Sequence, residues 1–342
     1  MRLPLGPRPL VAVDLGTANT KVYVHGRGIV LFEPSVIAVD EPSGDVLAVG
    51  DDARRMIGRT PSSIRATRPL RSGVITDLDV TEQMLHLFLQ KAAESRFTAP
   101  RVMLCIPGGV TTVERRAVEE ATLAAGSAVV YLIEEAMAAA IGADLPVSDA
   151  SARMVIDIGG GTTEVAVISL GGMVVTRSLR VGGYDMDEAI VRMVRQRHSL
   201  TIGEETAERA KLAIGSALPI CETEVFEVRG RQGMSGMLRA AQITGAEVRE
   251  ALAPTIDRIL GTIVSALEET PPELAADLVR NGIVLAGGGC LLRGFRERVE
   301  QHTHLSVETA ADPLMCVAVG AGRSLEEVSA LQGRSRRWWR SG

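Results

Sequence analysis

Apolar and polar residues alternate in two segments that follow one pattern, 11–24 (VAVDLGTANTKVYV) and 155–167 (VIDIGGGTTEVAV). In each, apolar residues lead to an aspartate, a turn of small residues and a threonine, and then to apolar residues at every second position. A period of two is typical of strands, and small residues between two such runs favour a tight turn. The pattern therefore predicts two similar β-hairpins. Their equivalent residues are Asp14 and Asp157, Gly16 and Gly159, and Thr20 and Thr163.

Strand-like and helix-like patterns alternate along the rest of the chain. Short apolar runs predict strands at 28–39, 46–49, 102–106, 129–133 and 282–286. Apolar residues at helical spacing predict helices at 51–57, 81–93, 112–125, 136–143, 185–197 and 206–214. We expect Asp185 and Glu188 to form a capping box where a helix begins, and 229–236 (RGRQGMSG) to be a glycine-rich loop. The alternation indicates an α/β fold.

The composition is typical of a globular protein with two domains. With 342 residues, 46% hydrophobic and 23% charged, the chain is long enough for two cores. Only 3% of the residues are aromatic, so aliphatic side chains must fill these cores. The polar, turn-rich segment 146–151 marks the predicted domain boundary. A net charge of −5 argues against a general nucleic-acid binder.

Cysteine usage and the start of the chain predict a cytoplasmic protein. The four cysteines have no zinc-site spacing, and we expect buried thiols in a reducing compartment. They are Cys105, Cys221, Cys290 and Cys316. The first ten residues lack the apolar core of a signal peptide, and their three prolines prevent an amphipathic helix. No run approaches the ~20 apolar residues of a transmembrane helix.

Both predicted hairpins carry groups suited to phosphate. Backbone N–H groups of such turns can cradle phosphate oxygens. The turn residues are Gly16, Thr17, Ala18 and Asn19 in the first hairpin and Gly159, Gly160 and Gly161 in the second. Asp14 and Asp157 suit Mg²⁺ held through waters, because Mg²⁺ keeps most of its hydration; alternatively, they only cap the turns. Two copies favour a duplicated fold with two phosphate-binding turns facing one cleft.

Three charged residues near the predicted strand ends have two interpretations each. Lys21 stands where its ammonium could reach a β-phosphate, or it is a solvated lysine on an edge strand. Glu134 and Glu135 lie where a strand meets a helix, and one of them could orient the water that attacks a γ-phosphate. Two adjacent glutamates cannot both face one site. Acidic residues also favour helix N-termini without any catalytic role.

Two further segments suit the rest of a nucleotide. Glu208 and Lys211 share a helix face and could bracket an adenosine, although the spacing also fits a surface ion pair. Gly287, Gly288 and Gly289 follow a buried strand. Three consecutive glycines indicate that a planar or anionic ligand approaches the backbone closely, here at a helix N-terminus.

The end of the chain suggests a membrane contact. Segment 334–340 (RSRRWWR) combines four arginines with Trp338 and Trp339, which suits an anionic membrane surface. Disorder without a role is the alternative. Phe97, in a predicted loop, is a second candidate for membrane contact or simply a packing residue.

Seven segments closely resemble the bacterial actin homologue MreB and its Mbl paralogues. In order, from about residue 10 to about residue 326, they are DLGTANT (14–20), GIVLFEPSVIAV (28–39), IEEAMAAAIGADLPV (133–147), DIGGGTTEVAVISLGG (157–172), IGEETAERAKLAIGSA (202–217), TPPELAADLVRNGIVLAGGGCLLRG (270–294) and DPLMCVAVGAGRSLE (312–326). These strings are far more specific than a phosphate turn alone.

The resemblance implies an actin-like, ribonuclease H-like duplicated α/β fold with a nucleotide in the central cleft. It implies domain I at 1–147 with a small subdomain at about 33–66, domain II at 148–314 with a small subdomain at about 182–244, and a return to domain I at 315–342 with the basic, tryptophan-containing tail. It also implies ATP and Mg²⁺ as cofactors, slow Mg²⁺-dependent ATP hydrolysis, and double protofilaments at the inner face of the cytoplasmic membrane. The implied partners are proteins of cell-wall synthesis and cell shape.

The resemblance also implies roles for individual residues. Hydrolysis would involve Glu135, Thr162 and Asp157, and Mg²⁺ would be held by Asp14 and Asp157. Phosphates would be held by the two turns, Lys21 and Thr162. The remaining nucleotide contacts would come from Glu208, Arg209, Ala210 and Lys211, and from Gly287, Gly288, Gly289, Cys290 and Leu291.

Three features depart from the family's pattern. Ala136 stands where the family has proline, so the helix start loses a fixed φ angle and we predict slow hydrolysis. Lys21 replaces an apolar residue of MreB, but eukaryotic actin resembles this chain in having lysine there, which favours a phosphate contact. The amphipathic N-terminal helix of some relatives is missing, so membrane binding must rely on the Phe97 loop, on the tail with Trp338 and Trp339, or on a partner. Of these we expect the tail, segment 334–342, to bind the membrane.

Other functions share the phosphate turns. A small-molecule kinase of the sugar-kinase or acetate-kinase branch needs a base aimed at a substrate hydroxyl, and no segment suggests a sugar pocket. A chaperone ATPase similar to the Hsp70 nucleotide domain would be longer. A specialised Mbl-type scaffold with little hydrolysis is poorly separated from MreB by sequence.

Overall fold

The computed structural model describes residues 8–92, 98–220, 222–233 and 236–338, with side chains described as far as residue 328. The chain divides into two compact units, one formed by Met1–Val147 with Leu314–Gly342 and the other by Ser148–Pro313. Several predictions fall outside the described residues or side chains: those for Phe97, Cys221, Trp339, Arg340 and the side chains of 334–338. Cys105, Cys290 and Cys316 are buried thiols, as predicted.

Strands and helices are numbered along the chain. The first part of unit 1 contains β1 (Leu10–Leu15), β2 (Asn19–Val24), β3 (Gly28–Pro34), β4 (Ile37–Asp40), β5 (Val46–Val49), α1 (Asp51–Arg54), β6 (Ile64–Thr67), β7 (Leu70–Arg71), β8 (Val74–Ile75), α2 (Leu78–Ala92), β9 (Arg101–Ile106), α3 (Thr112–Ala124), β10 (Val129–Glu134) and α4 (Glu135–Gly142).

Unit 2 follows without interruption, and the chain then returns to unit 1. Unit 2 contains β11 (Arg153–Ile158), β12 (Thr163–Ser169), β13 (Gly172–Leu179), α5 (Gly183–His198), β14 (Leu200–Thr201), α6 (Glu204–Ile214), β15 (Val225–Gln232), β16 (Leu238–Thr244), α7 (Gly245–Glu269), α8 (Pro272–Asn281), β17 (Ile283–Ala286), α9 (Phe295–Thr303) and β18 (Val307–Thr309). The returning segment forms α10 (Cys316–Trp338).

Unit 1 is built on a five-stranded sheet in the order β10-β9-β1-β2-β3. The strands β1, β2 and β3 are antiparallel neighbours, whereas β1, β9 and β10 run parallel. Alternate residues of β1, Val11 and Val13, join Met84 and Phe88 of α2 in one buried cluster. A three-stranded sheet, β5-β4-β6, and the hairpin β7-β8 lie in the same unit.

Unit 2 repeats this sheet with the order β13-β12-β11-β17-β18. The strands β11, β12 and β13 are antiparallel neighbours, whereas β11, β17 and β18 run parallel. The strands β1 and β11 are therefore topologically equivalent, as are β2 and β12. The sheet packs in one buried cluster with α5 and α7, through residues such as Ile156, Ile190 and Ile259. A small sheet, β14-β15-β16, completes the unit.

The duplication confirms the predicted α/β class and both predicted hairpins. β1 and β2 pair across the first turn, and β11 and β12 pair across the second. Among these hairpin strands, burial alternates along β2 only, whereas β1, β11 and β12 are buried along nearly their whole length. Of the helices that the structure describes, none is long and apolar enough to cross a membrane.

Three local predictions were wrong. Segment 28–39 is two strands, because the Ser35 N–H donates to the Ala18 carbonyl (3.0 Å) and the chain turns from the large sheet into the small one. The first half of segment 229–236 is not a loop, because residues 229–232 belong to β15 and residues 229–231 pair with β16. The helix predicted from Asp185 begins two residues earlier, at Gly183.

The capping residues of that helix are also reassigned. The Asp185 carboxylate accepts a hydrogen bond from the Gly182 N–H (2.8 Å), so Asp185 is the third helical residue and not the cap. Glu188 instead pairs with Arg192 one turn further on (3.3 Å). Asp185 lies three positions after Gly182, and Glu188 lies three positions after Asp185. Both pairs therefore have the spacing of a capping box.

Candidate functional site

The first hairpin joins its aspartate to a lysine. Asp14 and Lys21 are directly opposite in the β1–β2 register, and Lys21 Nζ lies 2.6 Å from Asp14 Oδ2. Both side chains are largely buried, so the ammonium neutralises the carboxylate in a poorly solvated place. Lys21 Nζ also lies 6.0 Å from the centre of the Phe32 ring. The solvated-lysine interpretation is therefore wrong.

Serine and glycine contacts hold the turn between these strands. The Ser35 hydroxyl donates to the Gly16 carbonyl (2.6 Å), and the Ser35 N–H donates to the Ala18 carbonyl. The Gly73 N–H donates to the Thr17 hydroxyl (3.0 Å). Because two turn carbonyls are engaged by the protein, the turn is preorganised to offer N–H groups rather than oxygens to an anion.

Glu135 lies at the same edge of the unit 1 sheet as this turn. It is the first residue of α4 and follows β10, which runs parallel to β9 and β1, so the carboxyl ends of these strands share one edge. Glu135 is buried, whereas Glu134 is the N-cap with extended backbone and partial exposure. The structure thus distinguishes the two adjacent glutamates. Ala136, the second helical residue, is buried.

The second turn is held by the start of α5. The carbonyls of Gly159 and Gly160 accept hydrogen bonds from the Gly183 N–H (3.0 Å) and the Tyr184 N–H (2.8 Å). Gly182 makes this contact possible, since a Cβ there would lie only 2.5 Å from the Gly159 oxygen. As in unit 1, carbonyl oxygens of the turn are drawn into the protein. The role of α5 was not predicted.

Asp157 stands beside a second buried carboxylate. The sheet register places Glu164 opposite Asp157 and Ser178 opposite Glu164, in one row across three strands. Glu164 is fully buried and accepts a hydrogen bond from the Ser178 hydroxyl (2.7 Å). The equivalent position in unit 1 is Lys21. Superposing the two hairpin sequences would have revealed Glu164, because the alignment that pairs Asp14 with Asp157 also pairs Lys21 with Glu164.

Of the predicted residues on α6, Lys211 reaches the start of α5. Its Nζ donates to the Gly183 carbonyl (3.0 Å) and lies 2.8 Å from Asp187 Oδ1. Burial raises the pKa of Asp187 to about 6, although the Lys211 charge opposes the rise. The Arg209 guanidinium lies 5.8 Å from the centre of the Phe226 ring of β15. Ala210 is buried in the core. Asp187 was missed, because its partner is distant in sequence.

The three consecutive glycines pack against the end of β11. Gly287 has a φ of +79°, and a Cβ there would lie 2.5 Å from Asp157 Oδ1. A Cβ on Gly289 would lie 2.3 Å from a methyl carbon of Ile158. The predicted helix N-terminus at these glycines is wrong, because a short 3-10 turn, Gly288–Leu291, stands there and α9 begins at Phe295. Cys290 is buried in this turn, and Leu291 is exposed.

The structure gathers the predicted residues in two groups, one in each unit. Asp14, Lys21 and turn 16–19 form the first. The second contains Asp157, turn 159–161, Lys211 and the glycines 287–289. Each group combines a strand-end aspartate, a turn with anchored carbonyls and one lysine, which is an arrangement suited to phosphate. Among the described residues, no set of three or more histidine, cysteine or acidic side chains is placed to hold a metal.

Two sheets of the same strand order, each with an aspartate-bearing hairpin, define a duplicated α/β protein of the actin-like class. The crystal structure of MreB5 of Spiroplasma citri bound to AMPPNP matches with a TM-score of 0.90 at 35% identity, covering 97% of this chain and 100% of that one. The sequence matches the MreB/Mbl protein family over residues 8–333. The chain therefore belongs to the MreB/Mbl family.

Two relatives illustrate the similarity. The chain is 50% identical over 324 residues to the cell shape-determining protein MreB of Escherichia coli (strain K12), with 93% of each chain covered. It is 43% identical over 325 residues to the cell shape-determining protein Mbl of Bacillus subtilis (strain 168), with 95% of this chain and 98% of the relative covered.

Proposed function

We propose that this chain binds ATP with Mg²⁺ and assembles into actin-like filaments that organise cell-wall synthesis and cell shape. The observation that carries the proposal is the repetition of one sheet topology, with an aspartate and an anchored turn at the equivalent place in each unit. Each such turn suits a phosphate group. Membership of the MreB/Mbl family supports the cellular role.

The two turns are proposed to hold the phosphates. Gly16, Thr17, Ala18 and Asn19 would act in unit 1, and Gly159, Gly160, Gly161 and Thr162 would act in unit 2. The anchoring of turn carbonyls by Ser35 and by α5 supports this assignment. The nucleoside would lie against Lys211 and its neighbours 208–210, and residues 287–291 would line the nucleotide.

The carboxylates suit magnesium. Asp14 and Asp157 are buried strand-end carboxylates beside the turns, a donor set that fits Mg²⁺ held largely through its own waters. When bound, Mg²⁺ would offset the phosphate charge. Lys21 orients Asp14 through their 2.6 Å contact, and Gly287 has no side chain that would collide with the Asp157 carboxylate.

Hydrolysis is proposed to depend on Glu135 and Thr162. Glu135 is fixed at the first position of α4, where its carboxylate could accept a proton from an attacking water. Ala136 follows it in place of a proline, and without the fixed φ angle the start of α4 is less rigid. We therefore expect a slow ATPase, and a scaffold with little hydrolysis is the limiting case.

The subdomains, partners and location are also proposals. The small sheets β5-β4-β6 and β14-β15-β16 would form the subdomains at about 33–66 and 182–244. The partners would be further copies in double protofilaments, the inner face of the cytoplasmic membrane, and proteins of wall synthesis and shape. Segment 334–342 would contact the membrane through its arginines and tryptophans.

Electron microscopy tests the polymer. Purified protein with Mg-ATP should form straight paired filaments, and Asp157→Ala should abolish them by removing the strand-end carboxylate. The matched control is Glu188→Gln, which removes a carboxylate from the surface pair with Arg192. Absence of filaments with every nucleotide, even on anionic lipid, would contradict the filament function and favour a kinase or a partner-dependent scaffold.

Liposome co-sedimentation tests the membrane contact. Removing residues 334–342 should abolish binding to vesicles containing anionic lipid, because the deletion removes four arginines and both tryptophans. Undiminished binding of the truncated protein would show that another segment or a partner makes the contact.

A further inference from the structure

The first turn of α5 links two parts of the proposed nucleotide site. On one side, the Gly183 and Tyr184 N–H groups hold the carbonyls of turn 159–160. On the other side, the Gly183 carbonyl accepts a hydrogen bond from Lys211 Nζ (3.0 Å). One residue, Gly183, therefore connects the phosphate turn to the lysine that is proposed to contact the nucleoside.

Asp187, one turn further along α5, fixes that lysine. Its Oδ1 lies 2.8 Å from Lys211 Nζ, and both side chains are largely buried, with 4% and 14% of their surfaces exposed. A buried pair of this kind is far less screened than a surface ion pair, and the loss of one partner leaves the other charge uncompensated. Lys211 is therefore held between a carbonyl and a carboxylate of the same helix.

We propose that Asp187 is a positioning residue for the nucleotide, which holds the Lys211 ammonium against the first turn of α5 and so couples the nucleoside contact to the phosphate turn. This inference rests on the proposed function, because it requires Lys211 to contact the nucleotide. Asp187 itself acts only through Lys211.

The same pair makes nucleotide binding depend on pH. Burial raises the pKa of Asp187 to about 6; Lys211 on α6 opposes the rise, and Glu208 and Glu204 of the same helix add to it. On α7, which also packs against α5, Glu247 and Glu250 pair with His198 and Arg197 at the far end of α5. The turn 159–161 carries no charged side chain. Protonation of Asp187 below about pH 6 should therefore release Lys211.

A double-mutant cycle tests the coupling. Affinity for a fluorescent ATP analogue with Mg²⁺ is measured for the wild type, Asp187→Asn, Lys211→Met and the double variant, with Glu188→Gln as a control of the same charge change on the same helix. Each single change at the pair should weaken binding about tenfold, because it leaves the other charge of a buried ion pair uncompensated. The double variant should bind no more weakly than Lys211→Met, and Glu188→Gln should bind normally.

The pH profile supplies a readout that a merely structural role would not change. The ratio of wild-type affinity to Asp187→Asn affinity should be about tenfold at pH 7.5 and approach one near pH 5, because Asp187 is then protonated in the wild type. Protonation of the nucleotide affects both proteins alike and cancels in the ratio. If Asp187→Asn does not fold, the ratio of wild type to Lys211→Met across the same pH range provides the same test.

The outcomes separate this inference from the function on which it rests. Additive effects in the double variant, or a ratio that does not change with pH, would overturn the role of Asp187 while leaving nucleotide binding intact. Failure of the wild type to bind the analogue at any pH would contradict the proposed function itself.

Discussion

Replacing Gly182 with alanine should damage the second phosphate turn through a single added methyl group. The Gly182 backbone has a φ of −163°, which alanine adopts without strain, so the substitution acts by contact alone. The new Cβ would lie 2.5 Å from the Gly159 oxygen and 2.8 Å from the Gly160 oxygen. Both oxygens belong to the backbone of the turn, so they cannot move aside as the end of a flexible side chain would.

The size of the effect follows from these distances. To restore an ordinary contact, the Gly159 carbonyl must retreat by about 0.9 Å, and overpacking of this kind typically costs about 1–3 kcal/mol. The shift also breaks the hydrogen bonds from the Gly183 and Tyr184 N–H groups, at about 1 kcal/mol each. We expect the free energy of unfolding to fall by about 3–5 kcal/mol, which lowers the Tm by roughly 10 °C. Because the displaced turn must recover this geometry to bind phosphate, at about 2 kcal/mol, we expect roughly a thirtyfold weaker affinity for ATP.

Thermal unfolding and titration with a fluorescent ATP analogue measure both quantities. Gly261→Ala is the matched control: it makes the same chemical change in unit 2, at an exposed helical position where a Cβ meets nothing within 4 Å. Alanine there should leave binding unchanged and stabilise α7 by up to about 1 kcal/mol. If Gly182→Ala kept the wild-type affinity for the ATP analogue and the wild-type Tm, the conclusion that α5 holds the turn would be refuted.

Three further substitutions test other parts of the structure. Gly320→Ala should lower the Tm by roughly 3–10 °C in a thermal melt, because its Cβ would lie 1.9 Å from the Ala138 carbonyl where α10 crosses α4, and a wild-type Tm would contradict this packing. Burial alone would raise the pKa of Glu247, but hydrogen bonds from the Thr244 N–H, His198 and the Thr244 hydroxyl outweigh it and hold the pKa below its usual range. Glu247→Gln should therefore cost about 1 kcal/mol in urea unfolding at pH 7, and the difference should disappear as the pH falls below the lowered pKa; a difference independent of pH would refute this. Ala136→Pro should raise the ATPase rate in a phosphate-release assay, since proline is compatible with the first turn of a helix and fixes φ beside Glu135; an unchanged rate would count against the proposed cause of slow hydrolysis.

The hairpins were predictable because their signal is local. Period-two alternation, an aspartate and a small-residue turn occur within 14 residues or fewer, and the repetition of this pattern indicated a duplicated fold before any pairing was known. The parallel strands β9 and β17 were also recognisable as short buried runs. Their places beside β1 and β11 depend on contacts that are distant in sequence, and the sequence pattern does not specify them.

The errors share a physical cause. The start of α5 was misplaced because Gly182 and Gly183 have low helix propensity, and their conformation is decided by contact with turn 159–160. Residues 229–232 looked like a loop by composition, but pairing with β16 makes them a strand. The glycines 287–289 suggested a helix N-terminus, whereas a short 3-10 turn, Gly288–Leu291, stands there against the end of β11. In each case a tertiary contact overrides the local pattern.

The two units also show which part of the candidate site the duplication preserves. The backbone arrangement is the same: an aspartate ends the strand, and carbonyls of the next turn are drawn into the protein. The means differ, because Ser35 does this in unit 1 and the first turn of α5 does it in unit 2. The side chains opposite the aspartates differ even in charge, with Lys21 in one unit and Glu164 in the other. The duplication therefore preserves the backbone geometry of the turn, whereas the charge of the side chain opposite each aspartate has diverged.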